Sequence, residues 1–233
     1  MELFFSDNIK NGIIKLSPEE SRHCIKVLRH KAGDLLHIID GKGNMYEAEL
    51  IDDNPKGAVA EIKKVTENFG IPDYFLHVAL APLKNPSRYE TFLEKATEIG
   101  ISSITPVLTR YTEKKTFKTE RYRKILLSAI KQSLRAKLPE LNEAVKFEKF
   151  VKQCKEQQKF IALCNADKKL IDVYDNTKDT VVLIGPEGGF SEEEKKIAQD
   201  NGFIPVLVGS SRLRAETAAI VTVSIISNKN LKI

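Results

Sequence analysis

Apolar and polar positions follow two regimes along this chain. Up to about residue 65 they form short strand-like runs divided by glycine, asparagine and aspartate. Leu35–Ile39 is a strand, Asp40–Asn44 a Gly-rich turn, and Met45–Ile51 a second strand in which Tyr46, Ala48 and Leu50 share one face. Asn54-Pro55-Lys56-Gly57 signals another turn, and Ala58–Val65 a third strand. Ahead of them, Ser17-Pro18-Glu19-Glu20 predicts a capping box that opens a helix running to about Arg29, with Pro at the first helical position. Short strands joined by such turns suggest a small barrel.

The segment TENFGIPD, residues 66–73, is polar with Gly and Pro, and marks a domain boundary between residues 1–70 and 71–233. Strands and helices alternate beyond it. Leu76–Ala81 is apolar. Ser87-Arg88-Tyr89-Glu90 reads as a second capping box, with Phe92, Leu93, Ala96 and Ile99 on one helix face before Gly100. Ile101–Leu108 is a strand, 119–136 a long helix, and Phe160–Cys164, Val181–Ile184 and Ile204–Val208 are further strands. Thr217–Ile226 has β-branched residues that favour a strand and a length and alanine content that favour a helix; helix is expected. This alternation predicts a parallel sheet covered by helices, an α/β architecture.

Two of these strands end in glycine-containing loops, Gly185-Pro186-Glu187-Gly188-Gly189 and the stretch from Gly209 to Arg214. α/β folds place ligands at such loops. Phosphate is disfavoured, because neither the P-loop nor the dinucleotide glycine spacing is present. Ser191 with Glu194 forms a capping box, and Glu192, Glu193 and Glu194 in the first helical turn would repel an anion. A neutral or cationic ligand fits better, and a tight turn that binds nothing is the plain alternative for the first loop alone.

Net charge is +5, a mild excess that permits an anionic partner without requiring one. The basic residues are grouped. Arg22, His23, Lys26 and Arg29 lie close together, with Arg22, Lys26 and Arg29 spaced to share a helix face; Arg121, Arg123, Lys124, Lys131, Arg135 and Lys137 form a second group. Together they suggest an RNA surface, although either is also compatible with a solvated face. Cys24, Cys154 and Cys164 are odd in number and lack metal-ligand spacing, so they read as free thiols in a reducing cytoplasm. No membrane span, signal core or metal site is expected.

The paired C-terminal motifs, GPEGGFS at 185–191 and LRAETA at 213–218, resemble those of the RsmE-type RNA methyltransferases, a branch of the knotted SPOUT class. The resemblance spans nearly the whole chain: Arg22-His23, Val27-Leu28-Arg29, Gly33-Asp34 and Asp40-Gly41 are similar to the family's PUA-like barrel, and Lys95, Glu98, Gly100, Pro106, Gln132, Arg135 and Pro139 to its methyltransferase domain. Two positions depart, with Leu108-Thr109-Arg110 where the family commonly has Ser-Glu-Arg, and Lys131 where it often has an acid.

The resemblance implies a PUA-like RNA-binding β-barrel (1–70) and a SPOUT methyltransferase domain (71–233) with a C-terminal trefoil knot and homodimeric assembly. It implies S-adenosylmethionine as cofactor and N3 of a uridine in small-subunit (16S) ribosomal RNA as target. Leu183, Gly185, Glu187, Gly188, Gly189, Leu207, Gly209, Leu213, Thr217 and Ala218 would hold the cofactor. Arg212 and Arg214 suit stabilisation of a uracilate oxygen, and Glu216 fits either a base or a helix cap. Arg22, His23, Lys26, Arg29 and Arg135 would meet RNA. A non-catalytic RNA-binding assembly factor that retains the fold is the rival reading; a nucleotide-binding protein is disfavoured by the glutamates after the loop.

Overall fold

A computed structural model describes residues 1–113 and 117–231, in two units: Met1–Ile71 with Leu127–Leu138, and Pro72–Leu126 with the chain from Pro139 onward. Unit one holds strands β1 (Leu3–Phe5), β2 (Ile9–Lys10) and β3 (Ile13–Lys15), helix α1 (Pro18–Arg22), and strands β4 (Leu35–Ile39), β5 (Met45–Asp52) and β6 (Val59–Thr66). Its sheet runs β1-β4-β5-β6-β3-β2, with β1 parallel to β4 and every other pair antiparallel. Alternate residues face inward, so Phe4, Ile14, Leu36, Ile38, Ala48 and Leu50 are buried in one core. Register shifts after Glu47 and after Leu50 curl the sheet.

The α1 region departs from the sequence expectation. Ser17 Oγ does accept from the Glu20 amide (3.2 Å). The Glu20 carboxylate does not return to the cap; it accepts from Phe5 N–H (3.3 Å) and pairs with Lys131. The α-helix stops at Arg22, and His23–Val27 widen into a π-helical turn closed by Leu28 N–H to His23 O (3.0 Å). Arg29 lies beyond it at φ 64. Arg22, Lys26 and Arg29 are all exposed but share no continuous α-helical face.

Leu127–Leu138 completes this unit. Gly43 N–H donates to Ala136 O, Ala136 N–H to Phe69 O and Leu138 N–H to Gly41 O, at 2.9–3.1 Å. Leu3, Ile39, Met45, Ile130 and Ala136 form a second small core. Gly70 has φ +66, and a Cβ there would lie 2.6 Å from Leu134 O, so only glycine fits.

Unit two is built on β7 (Leu76–Leu80), α2 (Pro86–Ile99), β8 (Ser103–Leu108), the part of α3 (Thr119–Gln132) that precedes Leu127, β9 (Glu140–Leu141), β10 (Val145–Lys146), α4 (Phe147–Gln153), β11 (Gln158–Ala162), α5 (Leu170–Val173), β12 (Thr180–Ile184), α6 (Glu192–Asp200), β13 (Ile204–Val206) and α7 (Ala215–Lys229). The sheet is entirely parallel in the order β10-β8-β7-β12-β11-β13, with β9 beside β8. Every residue of β7 and β12 is buried, as expected of a sheet covered on both faces.

Three local readings change in this unit. Asn85, not Ser87, caps α2; its side chain accepts from Ser87 N–H (3.0 Å), and Pro86 takes the first helical position. Glu90 pairs instead with Arg121. Helix α3 stops at Gln132 and does not reach Ala136, because Leu134 turns left-handed at φ 55. The helical alternative holds for the C-terminal stretch, where α7 runs fifteen residues and packs on α2.

Candidate active site

Because the sheet is parallel, β11, β12 and β13 end on one edge. The loops that leave them, with the start of α7, enclose a cavity of about 510 Å³. Its wall includes the expected Gly185, Glu187, Gly188, Gly189, Leu207, Gly209, Leu213 and Ala218, and also Arg212 and Arg214. Three expected residues are elsewhere. Leu183 is fully buried in the core beneath the loop, Thr217 faces solvent on α7, and Glu216 turns toward α2. The period of a strand and of a helix explains all three, since each alternates with or lies opposite a wall residue.

The first loop is tight. Gly189 N–H donates to Pro186 O (2.9 Å), and Gly189 has φ +71. A Cβ at Gly185 would lie 3.1 Å from the Gly189 carbonyl carbon and 3.1 Å from Phe190 Cε2. The following helix start is closed by a reciprocal capping box. Ser191 Oγ accepts from Glu194 N–H (3.2 Å), and Glu194 returns one oxygen to Ser191 N–H (2.9 Å) and the other to Arg110 N–H (2.8 Å). With the Ser191 and Glu194 amides engaged and three glutamates in its first turn, this N-terminus is poorly suited to a phosphate. The cavity wall is mainly backbone and apolar side chain; its cations are the exposed Arg212 and Arg214 and Lys195, which pairs with Glu192.

Arg88 joins the first loop to the start of α7, a role that local pattern does not reveal. Its Nε lies 3.6 Å from Glu216 Oε1 and its Nη1 4.0 Å from Glu187 Oε1. Lys84 N–H also donates to Glu187 Oε1 (3.2 Å). Glu216 Oε2 is buried and has no hydrogen-bond partner among the described residues. One carboxylate oxygen thus faces Arg88 while the other is buried without a partner.

A separate polar cluster occupies the other end of the sheet. Buried His77 contacts Glu156 through Nδ1 and Thr105 Oγ1 through Nε2 (2.7 Å), and Cys154 Sγ donates to Glu156 Oε2 (3.0 Å). Burial, then the Glu156 carboxylate, pushes the Cys154 thiol up to about 12. Burial also opposes ionisation of Glu156, but hydrogen bonds from His77 and Cys154 outweigh it and hold the carboxyl at about 2. A protonated thiol is a poor nucleophile, so this cluster reads as structural.

The RNA-surface candidates divide. Arg22, Lys26 and Arg29 are exposed, whereas His23 Nε2 meets Glu2 (3.2 Å) and the Arg135 guanidinium donates to Gly70 O (2.9 Å). Within the second basic group, Arg121 and Lys131 are engaged by Glu90 and Glu20, while Arg123, Lys124 and Lys137 are exposed. Among the described residues no three His, Cys, Asp or Glu side chains gather as for a metal, and no helix is long and apolar enough to cross a membrane.

Comparison with known proteins gives concordant matches. The family model described as RNA methyltransferase domain matches residues 72–227, and that described as RNA methyltransferase PUA domain matches 16–63. Ribosomal RNA small subunit methyltransferase E of Mesomycoplasma hyopneumoniae is 30% identical over 225 residues, covering 94% of this chain and 96% of that protein. The protein of the same name from Aquifex aeolicus is 27% identical, with 98% of this chain and all of that protein (100%) covered. A probable rRNA-methyltransferase from Porphyromonas gingivalis superposes with a TM-score of 0.93 at 30% identity, covering 99% of this chain and 98% of that one. A ribosomal RNA small subunit methyltransferase E from Neisseria gonorrhoeae, bound to S-adenosyl methionine, superposes at 0.89 with 25% identity and 98% of each chain covered.

Proposed function

The chain belongs to the RNA methyltransferase family with its PUA domain, and on that premise we propose that it methylates N3 of a uridine in small-subunit ribosomal RNA, using S-adenosylmethionine. The observation that carries this reading is the cavity: apolar and glycine-walled at the carboxyl ends of parallel strands, beside a helix start poorly suited to phosphate. S-adenosylmethionine has no phosphate, and its adenine and methionine parts suit backbone groups and apolar contacts. Gly185, Glu187, Gly188, Gly189, Leu207, Gly209, Leu213 and Ala218 would hold it. When bound, it supplies an electrophilic methyl on a sulfonium.

Uracil N3 is a weak nucleophile while protonated, so the chain must stabilise charge that develops on O2 or O4. Arg212 and Arg214, exposed on the cavity wall, are permanent cations suited to that task and unable to accept the proton. Glu216 acts on this reading by holding Arg88 between the first loop and α7. N3 lies on the pairing edge, so the target uridine must be unpaired or flipped. Unit one would carry RNA contacts from Arg22, Lys26 and Arg29, with His23 and Arg135 as shorter-range partners.

Two further parts belong to the proposal. The enzyme acts on ribosomal RNA in the cytoplasm, and it works as a homodimer. Helix α7 supports the second: its Ile220, Val221 and Ile225 are only partly buried. Light scattering should give twice the 26.2 kDa chain mass; the chain mass alone at every concentration rejects the dimer. Nucleoside mass spectrometry on ribosomal RNA from cells with and without the gene tests the activity. Unchanged N3-methyluridine would overturn it and leave the assembly-factor alternative.

A further inference from the structure

Just beyond β8 the chain makes a short turn fixed on both sides of one exposed aromatic ring. Thr109 N–H donates to Thr112 Oγ1 (2.9 Å), the two threonine hydroxyls lie 3.0 Å apart, and both residues are buried. Between them Arg110 is held through its N–H by Glu194 (2.8 Å) and through its guanidinium by Glu193 (3.2 Å). The turn thus presents Tyr111, 46% exposed, on a rigid base. An exposed aromatic ring held in place offers a flat face on which a base can stack.

The ring sits beside the cavity. A Cβ on Gly188, a wall residue, would lie 3.0 Å from Tyr111 Cβ and 3.4 Å from its Cγ. Glycine at 188 therefore makes room for the tyrosine, which stands one residue from the cofactor cavity. The charge around the ring is balanced: Glu193 faces Arg110 (3.2 Å), Glu113 faces Lys84 (3.1 Å) and Glu187 faces Arg88 (4.0 Å). With the neighbouring ions paired to one another, what the turn offers a nucleotide is the ring face, which suits a neutral, planar base.

We propose that Tyr111 is a stacking platform for an unpaired base of the RNA substrate at the mouth of the cofactor cavity. The proposal rests on the methyltransferase reading and adds a substrate-binding residue to it. Stacking uses the ring face and not the hydroxyl, and any base has such a face. Tyr111→Ala should raise the apparent RNA constant about 5- to 150-fold, the usual range for removal of one base–aromatic stack. Tyr111→Phe should behave as wild type, and calorimetric affinity for S-adenosylmethionine should be the same in all three.

The chain contains no tryptophan, so Tyr111→Trp creates a single fluorescent reporter that keeps the stacking face. Its emission should be quenched saturably by single-stranded RNA carrying uridines. Emission indifferent to RNA at concentrations that saturate methyl transfer would overturn the proposal. So would a Tyr111→Ala protein with the wild-type RNA constant, or an indole already shielded from iodide before RNA is added, which would mean that a second copy covers the ring. Wild-type methyl transfer to small subunits is measured alongside. If it is absent while Y111W is still quenched, the platform stands and the assigned reaction falls; if it is present while Y111A is unimpaired, only the platform falls.

Discussion

Gly185→Ala should weaken S-adenosylmethionine binding without unfolding the protein. The added methyl would lie 3.1 Å from the Gly189 carbonyl carbon, 3.2 Å from Gly189 Cα and 3.1 Å from Phe190 Cε2, all inside ordinary carbon contact distance. Neither neighbour yields easily. Gly189 is held by its hydrogen bond to Pro186 at φ +71, and Phe190 is built into the core. Overpacking of this kind costs about 1–3 kcal/mol. The loop relieves it by moving, and the loop is the cavity wall. If that strain falls on the binding-competent conformation, affinity drops about 5- to 150-fold. Calorimetry measures it directly, and a thermal melt sets the limit on stability: about 2–4 °C is expected for each kcal/mol retained in the unliganded fold. Gly57→Ala is the control, since nothing lies within 4 Å of its Cβ. Wild-type affinity for Gly185→Ala would refute the reasoning, because a wall that absorbs three such collisions unchanged is not the binding surface.

Glu156→Gln should destabilise the protein at neutral pH. A carboxyl held at about 2, below its ordinary 4.5, contributes stability that is complete above about pH 4.5 and lost as pH falls toward 2, on the order of 3 kcal/mol. Urea unfolding of both proteins at pH 7 and pH 3 checks this, and a gap that does not narrow in acid contradicts it. Glu194→Ala strips acceptors from the amides of Ser191 and Arg110, with about 1–3 kcal/mol expected for each buried donor left unpaired; an unaltered melting point would show that water replaces them. Arg22→Ala with Arg29→Ala should weaken RNA binding and reduce its salt dependence by roughly 0.7–0.9 of a unit in the log–log slope per lost phosphate contact. An identical slope would make those residues a solvated face.

Legibility in the sequence followed the range of the interaction. The Ser191–Glu194 box was readable because both partners lie within one helical turn, and the buried runs of β7 and β12 announced a covered parallel sheet. The α2 cap was misplaced by two residues because Ser87 competes with Asn85-Pro86, and only the backbone decides between them. The π-helical turn after Arg22 leaves no periodic trace over five residues. β1, β2 and β3 are two or three residues long, too short for alternation to register. In the site, the glycines and arginines of the two loops were legible as motif residues. Arg88, Lys84 and Tyr111 were not, since they reach the site from a helix, a bend and a turn about 75 to 130 residues away along the chain. Glu216 was visible but its direction was not, because one helical residue's turn separates facing the cavity from facing Arg88.

The order of strands in the parallel sheet also governs how the chain can be made. β7 and β12 pair along their full length, yet Leu76 and its partner Thr180 are about 100 residues apart. Ribosomes add roughly 5–20 residues per second, so β7 leaves the ribosome roughly 5–20 s before its neighbour exists. Throughout that interval a strand buried at all five positions in the finished protein has only β8 beside it. Unit one waits too, because Leu127–Leu138 must arrive before its second small core can close. Such long-separation pairing is slow and exposes sticky edges. An enzyme proposed to mature ribosomes thus emerges from them with a sheet that cannot yet close, and ribosome-released fragments ending before Ile184 should aggregate where the full chain does not.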